Sequence, residues 1–306
     1  MQGLTPSVDI PERIIDMLVV GLGPAGVACA LQGYRDGLDV VALGDEPVGG
    51  LVRAGRKLVN LPGLPSISGE DLAGRLAGQL HDMGVVAYHG HVSSIERKEG
   101  MFSVMLASGR ELSARSICLA TGTRPRDWDI SVGGQQVHRD ARSLPETLTG
   151  SRLLVVGGGE AAIDTALSAR DRGAEVIVLA RGNKLNAVAG LIGEAGRAGV
   201  EVRLKTRVAR VTGGPGNWVL TCSGWEPVKA QHLAVCIGRV PRDELLSGLI
   251  VGGFEPEVEQ KSLPGLFLAG DLIRGRDRYV ATAMGDGQRS AVAAGVYLQE
   301  VEHGSH

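Results

Sequence analysis

Three observations predict an α/β chain. A short apolar run, Met17 to Val20, feeds a glycine-rich loop and then a helical segment. The same order returns in mid-chain, from Leu153 to Ala162. Near the end, the apolar stretch Leu263 to Gly270 stops on a lone carboxylate, Asp271. Short uninterrupted apolar runs suit parallel strands buried on both faces. A glycine loop between such a strand and a helix marks a dinucleotide-binding unit. The expected fold class is therefore α/β with two Rossmann-like dinucleotide-binding domains, and two loops imply two nucleotides.

The first loop reads Gly21-Leu-Gly-Pro-Ala-Gly26, with a helix expected from Ala25 to Arg35 and a strand from Asp39 to Leu43. Gly21 permits the tight turn, Gly23 lets a pyrophosphate approach the backbone, and Gly26 allows close helix–strand packing. Pro24 and Ala25 complete the cradle, and the helix N-terminus turns unpaired N–H groups toward the phosphates. An acid after the second strand usually takes the adenosine ribose. Here Gly44 is followed by Asp45 and Glu46, either of which could do so. In the second unit the loop is Gly157-Gly-Gly-Glu-Ala-Ala162, with a helix expected from Ile163 to Arg172 and a strand from Glu175 to Leu179. Gly157, Gly159, Glu160 and Ala161 are the residues expected at its phosphates.

Composition agrees and excludes other classes. The 46 glycines among 306 residues are roughly twice the usual share of about 7%. A chain that is 43% hydrophobic and 22% charged is not a disordered polymer. A net charge of −2 argues against nucleic acid as a partner. The uncharged stretch Met17 to Tyr34 has membrane-spanning length, but Gly21, Gly23, Pro24, Gly26 and Gly33 break it, so no membrane partner is expected. Asp9, Glu12 and Asp16 near the start, without a basic run, give no export signal. Four separated cysteines without any CxxC fit a reduced, cytoplasmic protein, and no metal-ligand set is apparent.

A series of segments runs in order over residues 16 to 300: Gly21 to Gly26, Gly49-Gly50, Asn60-Leu-Pro-Gly63, Ala120-Thr-Gly122, Gly157 to Ala162, Ile237-Gly238, Ala269-Gly-Asp271 and Arg278-Tyr-Val280, then a glycine-containing final helix, Gly285 to Val301. This series resembles the two-dinucleotide-binding flavoproteins, most closely the low-molecular-weight thioredoxin reductases. The resemblance implies a discontinuous FAD-binding domain, 1–122 plus 243–306, with an NAD(P)-binding domain, 123–242, inserted into it. For FAD it implies Gly21, Gly23, Pro24, Ala25, Gly26, Asp45, Glu46, Gly50, Leu51, Asn60, Val92, Ala120, Thr121, Gly122, Gly270, Asp271, Tyr279 and Val280. Leu51 stands where the family usually has Gln. For NAD(P) it implies Gly157, Gly159, Glu160, Ala161, Arg181 and Gly238. Arg181 matches the first of the family's paired arginines for a 2′-phosphate, which favours NADPH slightly over NADH. A homodimer is also implied.

One departure carries the functional argument. Where thioredoxin reductases place a CxxC ahead of the second loop, this chain has Asp140-Ala-Arg-Ser143. Where the larger glutathione-reductase-like enzymes keep their cysteine pair, it has Leu51-Val-Arg-Ala-Gly-Arg-Lys57. Only thiolate sulfur cycles between dithiol and disulfide. Among the remaining cysteines, Cys222 and Cys236 are the expected pair if any were to substitute. His138 and Asp140 are candidates for proton handling at the vacated flavin face, and solvated linker residues are the competing reading. Arg53, Arg56 and Lys57 could dock an acidic electron carrier such as ferredoxin or flavodoxin, or simply be a solvated loop. The activity expected is electron transfer from NAD(P)H through FAD to an acceptor other than an internal disulfide: a carrier of the ferredoxin or flavodoxin type, a quinone or a small molecule. Two alternatives stay open: an FAD-dependent oxidase or dehydrogenase with a vestigial second site, and a non-enzymatic flavin- or nucleotide-sensing subunit.

Overall fold

The computed structural model describes residues 4–6, 9–247, 249 and 263–304; residues 250–262, within the segment expected to bind FAD, lie outside them. The chain runs through β1 (Thr5–Pro6), β2 (Ile14–Val20), α1 (Pro24–Arg35), β3 (Val40–Gly44), α2 (Gly69–Asp82), β4 (Ala87–His89), β5 (Val92–Lys98), β6 (Met101–Leu106) and β7 (Glu111–Leu119). It leaves this first unit along β8 (Thr123–Pro125). The second unit carries β9 (Arg152–Val156), α3 (Glu160–Asp171), β10 (Glu175–Leu179), α4 (Ala189–Arg197), β11 (Glu201–Arg203), β12 (Val208–Gly214), β13 (Asn217–Cys222), β14 (Trp225–Ala230) and β15 (His232–Val235). The chain returns along β16 (Arg239–Pro241), which pairs with β8, and ends with β17 (Leu266–Leu268) and α5 (Val280–Glu302). One compact unit comprises residues 1–53, 57–123 and 241–306, and the other 54–56 and 124–240.

In the first unit eight strands form one sheet, ordered β1-β4-β3-β2-β7-β6-β5, with β17 also paired to β7. Strand β7 shows why sequence pattern and pairing go together. Its first half alternates between buried and half-exposed residues and pairs antiparallel with β6; its last half is continuously buried and pairs in parallel with β17. An antiparallel segment can leave one face wet, whereas a parallel one is covered on both. Helices α1 and α5, the latter through Ala291, pack on one face over Met17, Val19 and Cys118, and the other face closes over Leu18, Phe102, Ile117 and Leu246.

The second unit has a four-stranded parallel sheet, β11-β10-β9-β15. Helix α3 covers one face of it through Ile163, Ala166 and Leu167. The meander β12-β13-β14 covers the other through Trp218, Leu220 and Val228. With both faces buried, β9 and β10 need consecutive apolar residues, which is why they read as unbroken runs.

Two helices begin three or more residues earlier than expected. Helix α3 starts at Glu160, because Gly159 already serves as its N-cap and the loop is only as long as its three glycines. Helix α5 starts at Val280: the Thr282 hydroxyl accepts from the Tyr279 N–H at 3.2 Å and fixes the first turn. Gly285 and Gly287 lower local helix propensity and concealed that start.

The two helices of the first unit touch through Gly287. A Cβ there would lie 2.0 Å from the carbonyl oxygen of Ala25 and 3.0 Å from the Cys29 nitrogen. Gly287→Ala would gain about 0.8–1 kcal/mol of helix propensity. The obstructing atoms are backbone and cannot swing aside, so overpacking wins. The variant is expected to be less stable by about 1–3 kcal/mol, read as a lower denaturant midpoint at unchanged slope.

Candidate functional site: two glycine loops at the carboxyl ends of parallel sheets

The first loop is shaped by backbone pressed against backbone. Gly21 holds φ +108°, and a Cβ on it would stand 2.3 Å from the Ala120 carbonyl oxygen. A Cβ on Gly26 would stand 1.8 Å from the Gly21 oxygen. The carboxyl ends of β2 and β7 and the first turn of α1 thus meet without intervening side chains. Gly23 differs, since nothing lies within 4 Å of its Cβ position. It is also the N-cap of α1, offers no capping side chain, and is followed by Pro24 at the first turn. The leading N–H groups of α1 therefore open onto a space bounded by glycine. Gly50 approaches from the far side, its Cβ position 3.5 Å from the Gly23 Cα. A cradle of uncapped N–H groups fits the pyrophosphate of a dinucleotide.

The other expected residues of the first unit take distinct places. Ala120 ends β7's run with its N–H donating to Val20 at 2.8 Å, and the Thr121 hydroxyl donates to the Arg242 carbonyl at 2.7 Å. Gly122 accepts from the Arg242 N–H at 3.0 Å. Asp45 and Glu46 follow β3 at the rim, and Asp45 lies 3.2 Å from His91 Nδ1. Leu51 sits in a 3₁₀ turn, Gly50–Ala54, and Asn60 is exposed in the loop beyond it. Gly270 and Asp271 form a second 3₁₀ turn, and Tyr279 and Val280 head α5. Val92 opens β5 with its side chain buried among Ile95 and Leu106, so it can offer a ligand only main chain. Sequence reasoning missed Asp286 and Arg274. Asp286, only 3% exposed on α5, pairs with the Arg274 guanidinium at 2.9 and 2.5 Å and ties down the loop ahead of α5. An acid among small residues in that helix was the available signal.

The second loop repeats the device. Gly157 holds φ +146°, and a Cβ there would stand 2.2 Å from the Cys236 carbonyl oxygen. Gly159 caps α3 without a side chain, and its Cβ position is open except for the Asn186 oxygen at 4.0 Å. The Asn186 N–H donates to the Gly158 carbonyl at 2.6 Å and pins the loop. Glu160 and Ala161 are exposed in the first turn of α3, and Arg181 is exposed just past β10. Gly238 accepts from the Arg126 N–H at 2.9 Å beyond β15. Among the described residues no cluster of metal-ligating side chains occurs, and no helix is long and apolar enough to cross a membrane.

With both loops in place, comparison with known proteins decides the family: the pyridine nucleotide-disulphide oxidoreductase profile matches residues 15–287. The chain belongs to that family. Membership makes it a flavoprotein oxidoreductase of the thioredoxin-reductase type, using FAD and a pyridine nucleotide. It is 26% identical over 308 residues to thioredoxin reductase of Bacillus subtilis, covering 95% of this chain and 97% of the relative. It is 27% identical over 308 residues to thioredoxin reductase of Listeria monocytogenes, covering 95% of this chain and 96% of that relative. The crystal structure of Lactococcus lactis thioredoxin reductase in its FR conformation superposes with a TM-score of 0.85 at 24% identity, covering 94% of this chain and 99% of that one.

Disulphide oxidoreductases need a thiol pair, and here the cysteines are dispersed and buried. The expectation that Cys222 and Cys236 are the plausible pair is corrected: Cys222 packs with the meander on one face of the second sheet, Cys236 with α3 on the other. The thiols that do meet are Cys29 on α1 and Cys118 on β7, deep in the first unit's core. Burial, reinforced by Cys118, raises the Cys29 thiol well above its ordinary value. Burial also pushes Cys236 up to about 11 and raises Cys222. Protonated, inaccessible thiols are poor redox nucleophiles.

His138 and Asp140 both have partners. The His138 backbone adds to the edge of the second sheet, with its N–H donating to Leu233 at 2.9 Å and its carbonyl accepting from Val235 at 2.8 Å. Its Nδ1 lies 3.2 Å from Ser143 Oγ, and its ring 5.7 Å from that of His232. Asp140 caps the 3₁₀ turn Ala141–Ser143 and pairs with Arg142 at 2.8 Å. Burial alone would raise the Asp140 carboxyl, but Arg142 outweighs it and holds the group below its usual value. Both arginines of the basic cluster after Gly50 are also matched by acids. Arg53 pairs with Glu70 at 2.5 Å. Arg56, which belongs to the second unit, pairs with Asp171 and, at 2.8 Å, with Glu194.

Burial lowers the pKa of both His138 and His232, and for His138 the neighbouring imidazole adds to the effect. The folded state thus binds protons more weakly than the unfolded chain, whose histidines titrate near ~6.5. Stability contributed by the two neutral rings is full above that value and is lost as pH falls below it. Thermal melts from pH 8 to 5 should show this loss, and His138→Gln with His232→Gln should flatten it. An unchanged slope in the double variant would exclude these rings as its source.

Proposed function

We propose that this chain is an FAD-dependent NAD(P)H oxidoreductase that passes electrons to an acceptor outside the chain, without an internal redox disulfide. The observation that carries this reading is the state of the thiols: two open glycine cradles coexist with four buried cysteines, none of them in the capped Asp140–Ser143 turn. FAD, when bound, supplies the two-electron chemistry between nicotinamide and acceptor. Gly21, Gly23 and the leading N–H groups of α1 would hold its pyrophosphate, Asp45 or Glu46 its adenosine ribose, and Asp271 its ribityl region. The first turn of α5, headed by Tyr279 and Val280, would turn its dipole toward the electron-rich edge of the flavin. In the second unit Gly157, Gly159, Glu160 and Ala161 would hold the nicotinamide nucleotide, with Gly238 beside it.

The thiols supply a stoichiometric test. Anaerobic addition of NADPH or NADH should bleach the oxidised-flavin band with one equivalent of nucleotide per FAD, because on this reading the flavin is the only two-electron centre. Two equivalents would reveal a second two-electron centre, that is, a working disulfide. No bleaching by either nucleotide would remove the NAD(P)H reading altogether.

The end of β10 favours NADPH as donor. Arg181 is exposed there and no acid follows the strand in Ala180–Lys184, so a 2′-phosphate meets a cation and no repelling carboxylate. Arg181→Ala is expected to raise KM for NADPH about tenfold and leave KM for NADH nearly unchanged in steady-state assays. Equal effects on both nucleotides would place Arg181 outside 2′-phosphate recognition.

A further inference from the structure

We propose that Arg242 is an FAD-clasping residue, laid across the mouth of the first glycine loop where it meets the cofactor's diphosphate. The inference rests on FAD occupying the first unit. Its basis is where the two ends of this residue are fixed. The main chain of Arg242 is anchored at the carboxyl end of β7: its N–H donates to Gly122 at 3.0 Å, and its carbonyl accepts from the Thr121 hydroxyl at 2.7 Å. Its guanidinium lies 3.8 Å from Asp45 and 3.6 Å from Glu46, beyond the carboxyl end of β3.

Strands β3 and β7 are not neighbours; β2 runs between them, paired to both. Two strand spacings, about 10 Å, separate β3 from β7. A side chain rooted past β7 and ending at the acids past β3 therefore crosses the carboxyl end of β2, and that end is the glycine loop. The near side of this path is close-packed. A Cβ on Gly44, the last residue of β3, would lie 2.9 Å from Leu22 Cγ, and the Gly49 N–H donates to the Leu22 carbonyl at 2.8 Å. The acids thus stand directly beside the loop that opens at Gly23.

The charges are arranged to hold this arm without neutralising it completely. At 3.6–3.8 Å the contacts with Asp45 and Glu46 are looser than direct hydrogen bonds, and the Arg242 side chain remains 36% exposed. Asp45 also lies beside His91, at 3.2 Å. Two carboxylates oriented by a cation can turn to ribose hydroxyls, and the guanidinium retains N–H donors for phosphate oxygens, which it binds as a planar fork. A single residue would then serve both halves of the adenosine diphosphate moiety: phosphate directly, and ribose by positioning the acids.

Release of FAD from the holoprotein after dilution, followed by the rise in flavin fluorescence, tests the clasp across a range of NaCl concentrations. Arg242→Met is expected to release FAD about tenfold faster than wild type at low ionic strength, with the difference shrinking as salt screens the wild-type contact. Arg242→Lys should restore most of the salt dependence, since it keeps the charge. Arg242→Gln carries the same expectation as the methionine variant should the latter fail to fold. Release at the wild-type rate, or acceleration by the same factor at every salt concentration, would overturn the proposal, the second result showing loosened packing rather than lost charge. A wild-type protein purified without flavin would overturn the cofactor reading itself, whereas flavin held equally by wild type and Arg242→Met overturns the clasp alone.

Discussion

Everything in the first unit depends on backbone atoms being allowed to touch around the first turn of α1. Gly26 rests on the Gly21 carbonyl, Gly21 on Ala120, and Gly287 of α5 on Ala25, each at a distance that a methyl group would violate. Gly270, with φ +72°, adds a fourth segment, its Cβ position 2.7 Å from the Ala25 Cβ. Strand ends, a 3₁₀ turn and two helices converge because nothing projects between them. Close packing of this kind fixes positions sharply, since a misfit of one methyl has nowhere to go. The convergence places uncapped N–H groups, the acids after β3 and the turn at Asp271 around one space.

The second unit solves the same problem with one small difference. Its third loop position is Ala162, whose Cβ lies 3.2 Å from the Cβ position of Gly157, where the first unit tolerates only glycine. The loop gains rigidity from elsewhere, through Asn186 bonded to Gly158. The two units thus carry two versions of one device, differently braced.

The distribution of sulfur follows the packing of the two units. Each cysteine serves packing: Cys29 and Cys118 between α1 and the sheet, Cys236 beneath α3, Cys222 under the meander. In the segment ahead of the second loop, Asp140 and Ser143 instead stabilise a tight turn, with Ser143 Oγ donating to the Asp140 carbonyl at 3.1 Å. His138 there acts as a sheet-edge residue whose ring is drawn in against His232. These are local structural bonds made by groups that cannot carry electrons.

The sequence by itself determined the α/β class, the two glycine loops, the strand β10 to the residue, and the absence of any CxxC. These are written in local patterns: an unbroken apolar run, a glycine spacing, a missing residue type. Only the tertiary structure decided what depends on segments distant in the chain. It joined Arg242 to Asp45 and Glu46, set Asp286 against Arg274, brought Cys29 rather than Cys222 to a second thiol, and spent Arg53 and Arg56 on acids of the same chain. Side-chain partners follow from strand order and helix crossing, and neither leaves a periodic mark in the sequence. Backbone conformation is specified by neighbours a few residues away; charge and thiol pairing is specified by what the folded sheet happens to bring alongside.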